Sequence, residues 1–382
     1  MEGLHLSLGS WSAMVHGFGF LMSTDIDGPR GGRQLFGTNM LMMGAGRSLA
    51  GGTVGVRAMA SLEPLMGGNG YRLLLQTGES ADGLSHLVDR QHPHDLFMEL
   101  SATYSRSLGK NSSAFLYAGW PGEPAIGPPA FMHRRSAAPN PLAPLGHHWL
   151  DSTHITFGVV TAGVVSNRFK VDASVFKGRE PDGARWNLDR PGLDSHSVRL
   201  TMNPTKSLSF QISTGWLHSP EVLHPSLDER RHTASLSWSH GLPKGRLDVT
   251  AAWGRKIRSG DLPNCFGSAG CYAGGIPYPP NRTHDAWLLE AALEAGPRHT
   301  VFARAERVEK DQLFPGSDPF HPRVFPIGSV LAGYMWDVTP RGPIGVRIGG
   351  AFGLGLVPEF IAPDYGGRRV RTIWLMAQAR LR

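Results

Sequence analysis

The chain has 382 residues, a formal net charge of +7, 41% hydrophobic and 18% charged residues, and 49 glycines, about twice the usual share. Its 10 Trp, 7 Tyr and 17 Phe call for packed surroundings and exclude intrinsic disorder, while the longest apolar run, residues 157–165, is far shorter than the about 18–20 residues of a spanning helix. The basic residues are scattered, pairing only at Arg134-Arg135, Arg230-Arg231 and Arg368-Arg369, and with no basic helix the chain is not read as a nucleic-acid binder.

Two-residue alternation predicts strands over 12–22, 34–47, 53–62, 96–105, 112–120, 154–166, 168–177 and 194–203. It continues over 207–217, 230–240, 246–256, 283–295, 299–309, 326–337, 344–356 and 370–382. These sixteen segments are long for strands of soluble proteins, which average about 5–6 residues. Short links (47–52, 106–111, around Asn167, 203–206, 241–245, 296–298, 337–343) alternate with long ones (23–33, 63–95, 121–153, 178–193, 218–229, 257–282, 310–325, 357–369). Both chain ends fall on the short-linked side. The layout predicts an all-β protein: one up-and-down antiparallel transmembrane β-barrel of sixteen strands over about 12–382, a single domain with short periplasmic turns and long extracellular loops.

Face chemistry points the same way. In 207–217, Leu208, Phe210, Ile212, Thr214 and Trp216 alternate with Ser207, Ser209, Gln211 and Ser213; in 168–177, Phe169, Val171, Ala173 and Val175 alternate with Lys170, Asp172 and Ser174. One face meets lipid and the other water. In 96–105 the same reading places Leu96, Met98 and Leu100 together on the apolar face, against Glu99, Ser101 and Thr103. Trp120, Trp216, Trp253, Trp287, Tyr334 and Trp336 are expected in interfacial girdles.

The segments DRQHPHDLFMEL (89–100), PLAPLGHHWLDSTHITFGV (141–159), FKGREPDGARWNLD (176–189) and SLDERRHTASLSW (226–238) resemble those of a family of Gram-negative outer-membrane, porin-like barrel proteins. The resemblance covers most of the chain. It implies the fold and a bacterial outer-membrane location, and it brings no catalytic residues. Two features depart from the pattern. The chain ends Ala-Arg-Leu-Arg where a terminal Phe is usual, and residues 1–3 carry an acid with no apolar run behind them, so the export signal is expected to be missing through a truncated or late start.

Three constellations bear on function. Inward strand positions Arg57, Glu99, Arg199, Asp248, Glu290, Arg304, Glu306 and Arg347 mix both signs, and the third long loop carries His133, Arg134, Arg135, His147 and His148 against Glu123 and Asp151. In a lumen too wide for side chains to fill, such a loop is the candidate constriction of a porin-like channel passing small hydrophilic solutes, with a weak preference for anions. Arg134 and Arg135 could equally face lipopolysaccharide, the other expected partner besides lipid. Second, His86, His92, His94 and Asp95 in one loop and His147, His148, Asp151 and His154 in the next suggest a divalent metal ion, copper or zinc, held by His92, His94, His147, His148, Asp151 and His154. Met40, Met42 and Met43 would add softer ligands for copper(I). The plainer reading is that these histidines pin loops by hydrogen bonds. Third, a partner-binding barrel would use loop 63–95 for adhesion or assembly. No cofactor other than that metal is implied. Catalysis is not expected: GxSxG is absent, and neighbours such as Ser195-His196 or Ser239-His240 point to opposite faces of a strand. Cys265 and Cys271, in a Gly/Pro-rich loop without a nearby His, suit a loop disulfide better than a metal site.

Overall fold

The computed structural model describes residues 3–260, 283–321 and 323–381, with the backbone of 272–273 and 276–277. Numbering strands of five residues or more in chain order gives β1 (Leu4–Leu8), β2 (Trp11–Ile26), β3 (Gly32–Leu49), β4 (Gly52–Ala60), β5 (Tyr71–Ser80), β6 (His86–Gln91), β7 (Phe97–Ser107), β8 (Ser112–Gly119), β9 (Val159–Ser166) and β10 (Phe169–Phe176). Then follow β11 (Ser195–Thr205), β12 (Leu208–Leu217), β13 (Leu227–Leu242), β14 (Gly245–Gly260), β15 (Thr283–Ala295), β16 (His299–Lys310), β17 (Phe325–Asp337), β18 (Ile344–Leu356) and β19 (Arg369–Leu381). β2–β4 and β7–β19 pair antiparallel with their chain neighbours, and β19 returns to β2 with Phe18 opposite Arg380 and Ile26 opposite Thr372. The sixteen strands therefore close into a barrel. Closure removes the unpaired edges that an open sheet would expose.

Turn chemistry sets the short rim. Asn167, at φ 45°, supplies the left-handed residue of the two-residue link between Ser166 and Phe169. The remaining long connections gather at the opposite rim. Ahead of the barrel, β1 pairs with only the first residues of β2, from Leu4 opposite Val15 to Leu8 opposite Trp11, and so adds a short seventeenth strand that alternation did not reveal.

The outer surface is apolar. Leu21, Leu35, Val56, Leu116, Val171, Ile212, Leu289, Phe352, Ile373 and Leu375 all stand exposed on it. A soluble barrel would turn such residues inward, so this wall is built to face hydrocarbon. Trp253 and Trp287 stand side by side, 6.1 Å between ring centroids, while Tyr334 and Trp336 lie at the short-turn end. The eight residue steps from Gly245 to Trp253 span about 26 Å along the strand, the width of an apolar band between two girdles. Among the described residues no helix is long and apolar enough to cross a membrane; the strands do the crossing.

Three expectations shift. The strand expected over 154–166 begins only at Val159, because Ser152–His154 form a helical turn inside the barrel. Loop 63–95 contains the hairpin β5–β6, and Tyr71, Leu73, Leu74, Leu75, Asp89 and Gln91 are buried, so most of it is no surface for an adhesion partner. Met98 is fully buried with Met40, Met42 and Met59 instead of facing lipid. The cause is a bulge: Met59 opposes Glu99 but Ala60 opposes Phe97, and that extra residue puts both Met98 and Glu99 inside.

Candidate functional site

The lumen is the candidate site, and two chain segments fill it. Loop 120–158 enters from the long-loop rim and is buried over almost its whole length. Glycine permits this close packing, within the loop and against the wall. At Gly127 (φ +75°) an added Cβ would lie 1.9 Å from the Leu150 carbonyl oxygen, and at Gly254 of β14 one would lie 2.6 Å from the Trp149 carbonyl oxygen.

On one side the loop is held by polar bonds to six inward-facing wall strands. Ala125 N donates to Ser174 Oγ (2.7 Å) and Gly127 N to Ser213 Oγ (2.9 Å). Arg231 Nη1 donates to Ser152 Oγ (3.0 Å), and Ser136 Oγ sits 2.8 Å from Thr250 Oγ1. Gly146 N donates to Glu306 Oε1 (3.2 Å), Arg304 Nη1 to the Leu142 carbonyl (2.8 Å) and Lys310 Nζ to the Leu145 carbonyl (3.0 Å). The strongest tether is ionic. Arg134 is buried between Asp151 and Glu290, 2.6 Å from each. Burial alone would raise the Asp151 carboxyl, but Arg134 and then His147 outweigh it and hold it well below the carboxylate range.

The opposite side is apolar. Phe131, Leu142 and Ala143 pack with Tyr71 and Leu73 of the hairpin against Phe20, Met22 and Phe36 of β2 and β3, and against Phe302, Met335, Trp374 and Met376. Phe36 and Tyr71 stack in parallel at 4.6 Å. Part of the inner face is thus hydrocarbon, contrary to a uniformly polar lumen, because inserted loops need an apolar face to bury against.

Where the two halves meet, a cavity of about 190 Å³ opens at the short-turn end. Arg134 and Arg135 from the loop and Arg246, Arg347 and Arg380 from the wall line it, against the carboxylates Glu63, Asp248 and Glu294. Arg246 bonds Asp248 (2.7 Å) and Glu294 (3.1 Å), and Arg347 reaches Asp337 at 3.5 Å. Arg135 is exposed in the cavity and has no ionic partner among the described residues. His133 also lines it, and burial pulls its ring down to about 4.

The remaining inward charges belong to the wall and do not gather into one ring. Arg57 contacts Glu99 (3.2 Å), Arg199 contacts Asp172 (2.8 Å), Arg304 lies 3.4 Å from Glu290, and Glu306 holds the loop backbone. Glu123, buried near Arg199, Glu99 and Arg57, is pushed by burial to about 7.

The histidines expected to bind metal divide. His94, His147 and His154 come together around Phe131, with His94–His154 and His147–His154 centroids 5.3 and 5.2 Å apart. Their Nδ1 atoms are committed elsewhere: His94 to Glu63 (2.8 Å), His147 to the Asp151 carboxylate (2.7 Å) and His154 to the Asp151 carbonyl (2.8 Å). His92 bonds the Pro93 carbonyl, and His148 lies under Gly78. Met40 and Met42 are inside, whereas Met43 faces out. Among the described residues, the one group of three whose ligand atoms lie within 4.8 Å of one another is His86, His224 and His321. Sequence reasoning noted His86 and missed the other two, which sit on separate loops. Ser195 is inward and His196 outward, as alternation requires. Cys265 and Cys271 lie outside the described residues.

No family model matches the chain, and no curated protein matches it in sequence. Solved structures do match its fold. The outer membrane channel DcaP of Acinetobacter baumannii superposes with a TM-score of 0.55 at 10% identity, covering 100% of both chains. OmpF of Salmonella typhi, in complex with daunomycin, gives 0.54 at 8% identity, covering 98% of this chain and 100% of its own. An anion-selective porin from Comamonas acidovorans gives 0.50 at 11%, covering 97% and 100%. The chain is thus a sixteen-stranded β-barrel with the fold of the outer-membrane porins.

Proposed function

We propose that the barrel is a bacterial outer-membrane channel for passive diffusion of small hydrophilic anions, narrowed by loop 120–158, without catalysis. The observation that carries this reading is Arg135, a guanidinium on the inserted loop that faces the cavity with no ionic partner among the described residues. The other four arginines that line the cavity are matched by carboxylates, Arg134 by Asp151 and Glu290 and the wall arginines by Asp248, Glu294 and Asp337, which leaves Arg135. A guanidinium left free on the narrowing loop favours anions. At the long-loop end of the outer surface, His196, Arg230 and His232 surround Trp216, which supports lipopolysaccharide phosphates as the neighbouring partner.

Planar-bilayer recording tests the reading. Purified folded protein is expected to give stepwise conductance, with a reversal potential in a KCl gradient that favours chloride. Arg135→Glu is expected to reduce the anion-to-cation permeability ratio by roughly threefold to tenfold. Folded protein that gives no channels at any voltage overturns the channel, and an unchanged reversal potential in the variant overturns the role of Arg135.

A further inference from the structure

We propose that His86, His224 and His321 form a three-imidazole site for one divalent transition-metal ion of the zinc(II) or copper(II) type, joining three loops at the long-loop end of the barrel. It stands independently of the channel reading.

The three rings belong to different connections: His86 begins β6, His224 lies in the link 218–226, and His321 lies in the link 311–324. Their ligand nitrogens lie within 4.8 Å of one another, and the His86 ring is 5.3 Å from that of His224 and 4.6 Å from that of His321, centroid to centroid. Three rings this close without an ion bring lone pairs and N–H groups together with little reward. Indeed the buried Nδ1 atoms of His86 and His224 have no hydrogen-bond partner among the described residues. A metal ion is what satisfies such nitrogens together.

The His321 ring is already held by a partner of its own. His321 Nδ1 lies 2.6 Å from the Phe314 carbonyl, so that nitrogen carries the proton and Nε2 keeps its lone pair. Gln312 Nε2 lies 3.3 Å from His224 Nε2, so this ring offers its unpartnered Nδ1 to the metal, with the Glu221 carboxylate 3.9 Å from Nε2. Each ring also rides on a turn held by local hydrogen bonds. Asp82 accepts from Leu84 N (2.8 Å) and Ser85 N (2.9 Å) just before His86. His224 N donates to the Glu221 carbonyl (3.1 Å), and His321 N to the Asp318 carbonyl (3.0 Å). Preformed turns reduce the ordering cost of binding.

The donor set selects the ion. Imidazole suits zinc(II) and copper(II), and three protein ligands leave one coordination position for water or a ligand. An entry path exists: His86 and Glu221 also line a cavity of about 440 Å³ with Gly78, Asp82 and Glu180, on the long-loop side of the inserted segments.

The test uses the full chain, folded in detergent and stripped with chelator, titrated separately with zinc(II) and copper(II). One equivalent of metal is expected. Copper(II) electron paramagnetic resonance of the wild type should show superhyperfine splitting from imidazole nitrogens, a readout that needs no variant. His86→Ala, His224→Ala and His321→Ala should each weaken binding by about tenfold or more, while His94→Ala leaves it unchanged. Retained heat-modifiable migration certifies each variant as folded. Wild-type protein that binds no metal overturns the site, as does a folded triple variant that binds like wild type or a spectrum without nitrogen splitting.

Discussion

The two halves of the inner wall hold the same inserted loop by different physics. From β10 round to β16, Ser174, Ser213, Arg231, Thr250, Glu290, Arg304, Glu306 and Lys310 present hydrogen bonds and charges. From β17 round through β19 to β3, Met335, Trp374, Met376, Phe20, Met22 and Phe36 present hydrocarbon. Polar bonds are directional, so they fix where the loop backbone lies and which charges it shows the cavity. Apolar packing is not directional and supplies adhesion. Damage to the polar half should therefore change permeation together with stability, and damage to the apolar half should change stability alone.

Arg134→Ala should give the largest effect. It leaves Asp151 and Glu290 as buried carboxylates with their shared cation gone, a change that costs about 3–5 kcal/mol. The expected outcome is a lower temperature of heat-modifiable migration together with larger and noisier conductance as the loop comes loose. Adding Asp151→Asn and Glu290→Gln to the same protein removes the stranded charges and should recover much of the stability. A single variant as stable and as quiet as wild type would break the assignment of Arg134 as the main tether.

On the apolar half, Met22 is fully buried beneath the hairpin and loop. Met22→Ala should cost about 2–4 kcal/mol through lost burial and the space left behind. Its melting should fall while its reversal potential in a KCl gradient stays at the wild-type value. A shift in selectivity would show that the apolar half also sets the charge at the cavity.

The contrast also explains what was legible in the sequence. Strands such as β12 can be read because lipid on one side and water on the other enforce strict alternation from Leu208 to Trp216. The order of short and long links follows from turn residues, and it gives the barrel with both chain ends at one rim. Met98 was misread because a bulge inverts the faces without altering composition. The apolar inner patch escaped because period-two alternation says which residues share a face but not what covers that face. Arg134 and Arg135 are adjacent and chemically identical. One is buried between two carboxylates and the other is left open to the cavity, a difference set by a wall residue, Glu290, on a strand far along the chain. The three-histidine cluster escaped for the same reason, since its members meet only when three loops fold over one rim.

Acidification should give the smallest effect, and it acts at the seam between the halves. His133 faces Glu99, Arg57, His16 and His94, and burial sets its ring at about 4. His154 is lowered well below its ordinary value by burial and then by His147 and His94. Rings depressed in this way take up protons more readily once the loop is released. The tethered state therefore loses stability as pH falls below about 6.5, continuing for His133 to about 4. The neighbouring His94–Glu63 pair has the opposite sign for its histidine. Burial lowers the His94 ring, but Glu63 outweighs it and raises it, so its contribution is complete below about 6.5. Burial likewise raises Glu63, but His94 prevails and lowers it, so that contribution persists until the pH falls below about 4.5. Between these limits the pair stays intact while His133 and His154 work against the tether. For His133 the change from pH 6.5 to 5.5 is worth about 1 kcal/mol. Single-channel conductance recorded from pH 7.5 to 5 should rise or become noisier toward acid, and His133→Gln should reduce that trend without abolishing it, because His154 remains. A conductance that is flat over this range would mean that neither ring gains a proton when the loop moves, and the seam would then be as rigid as the two halves it joins.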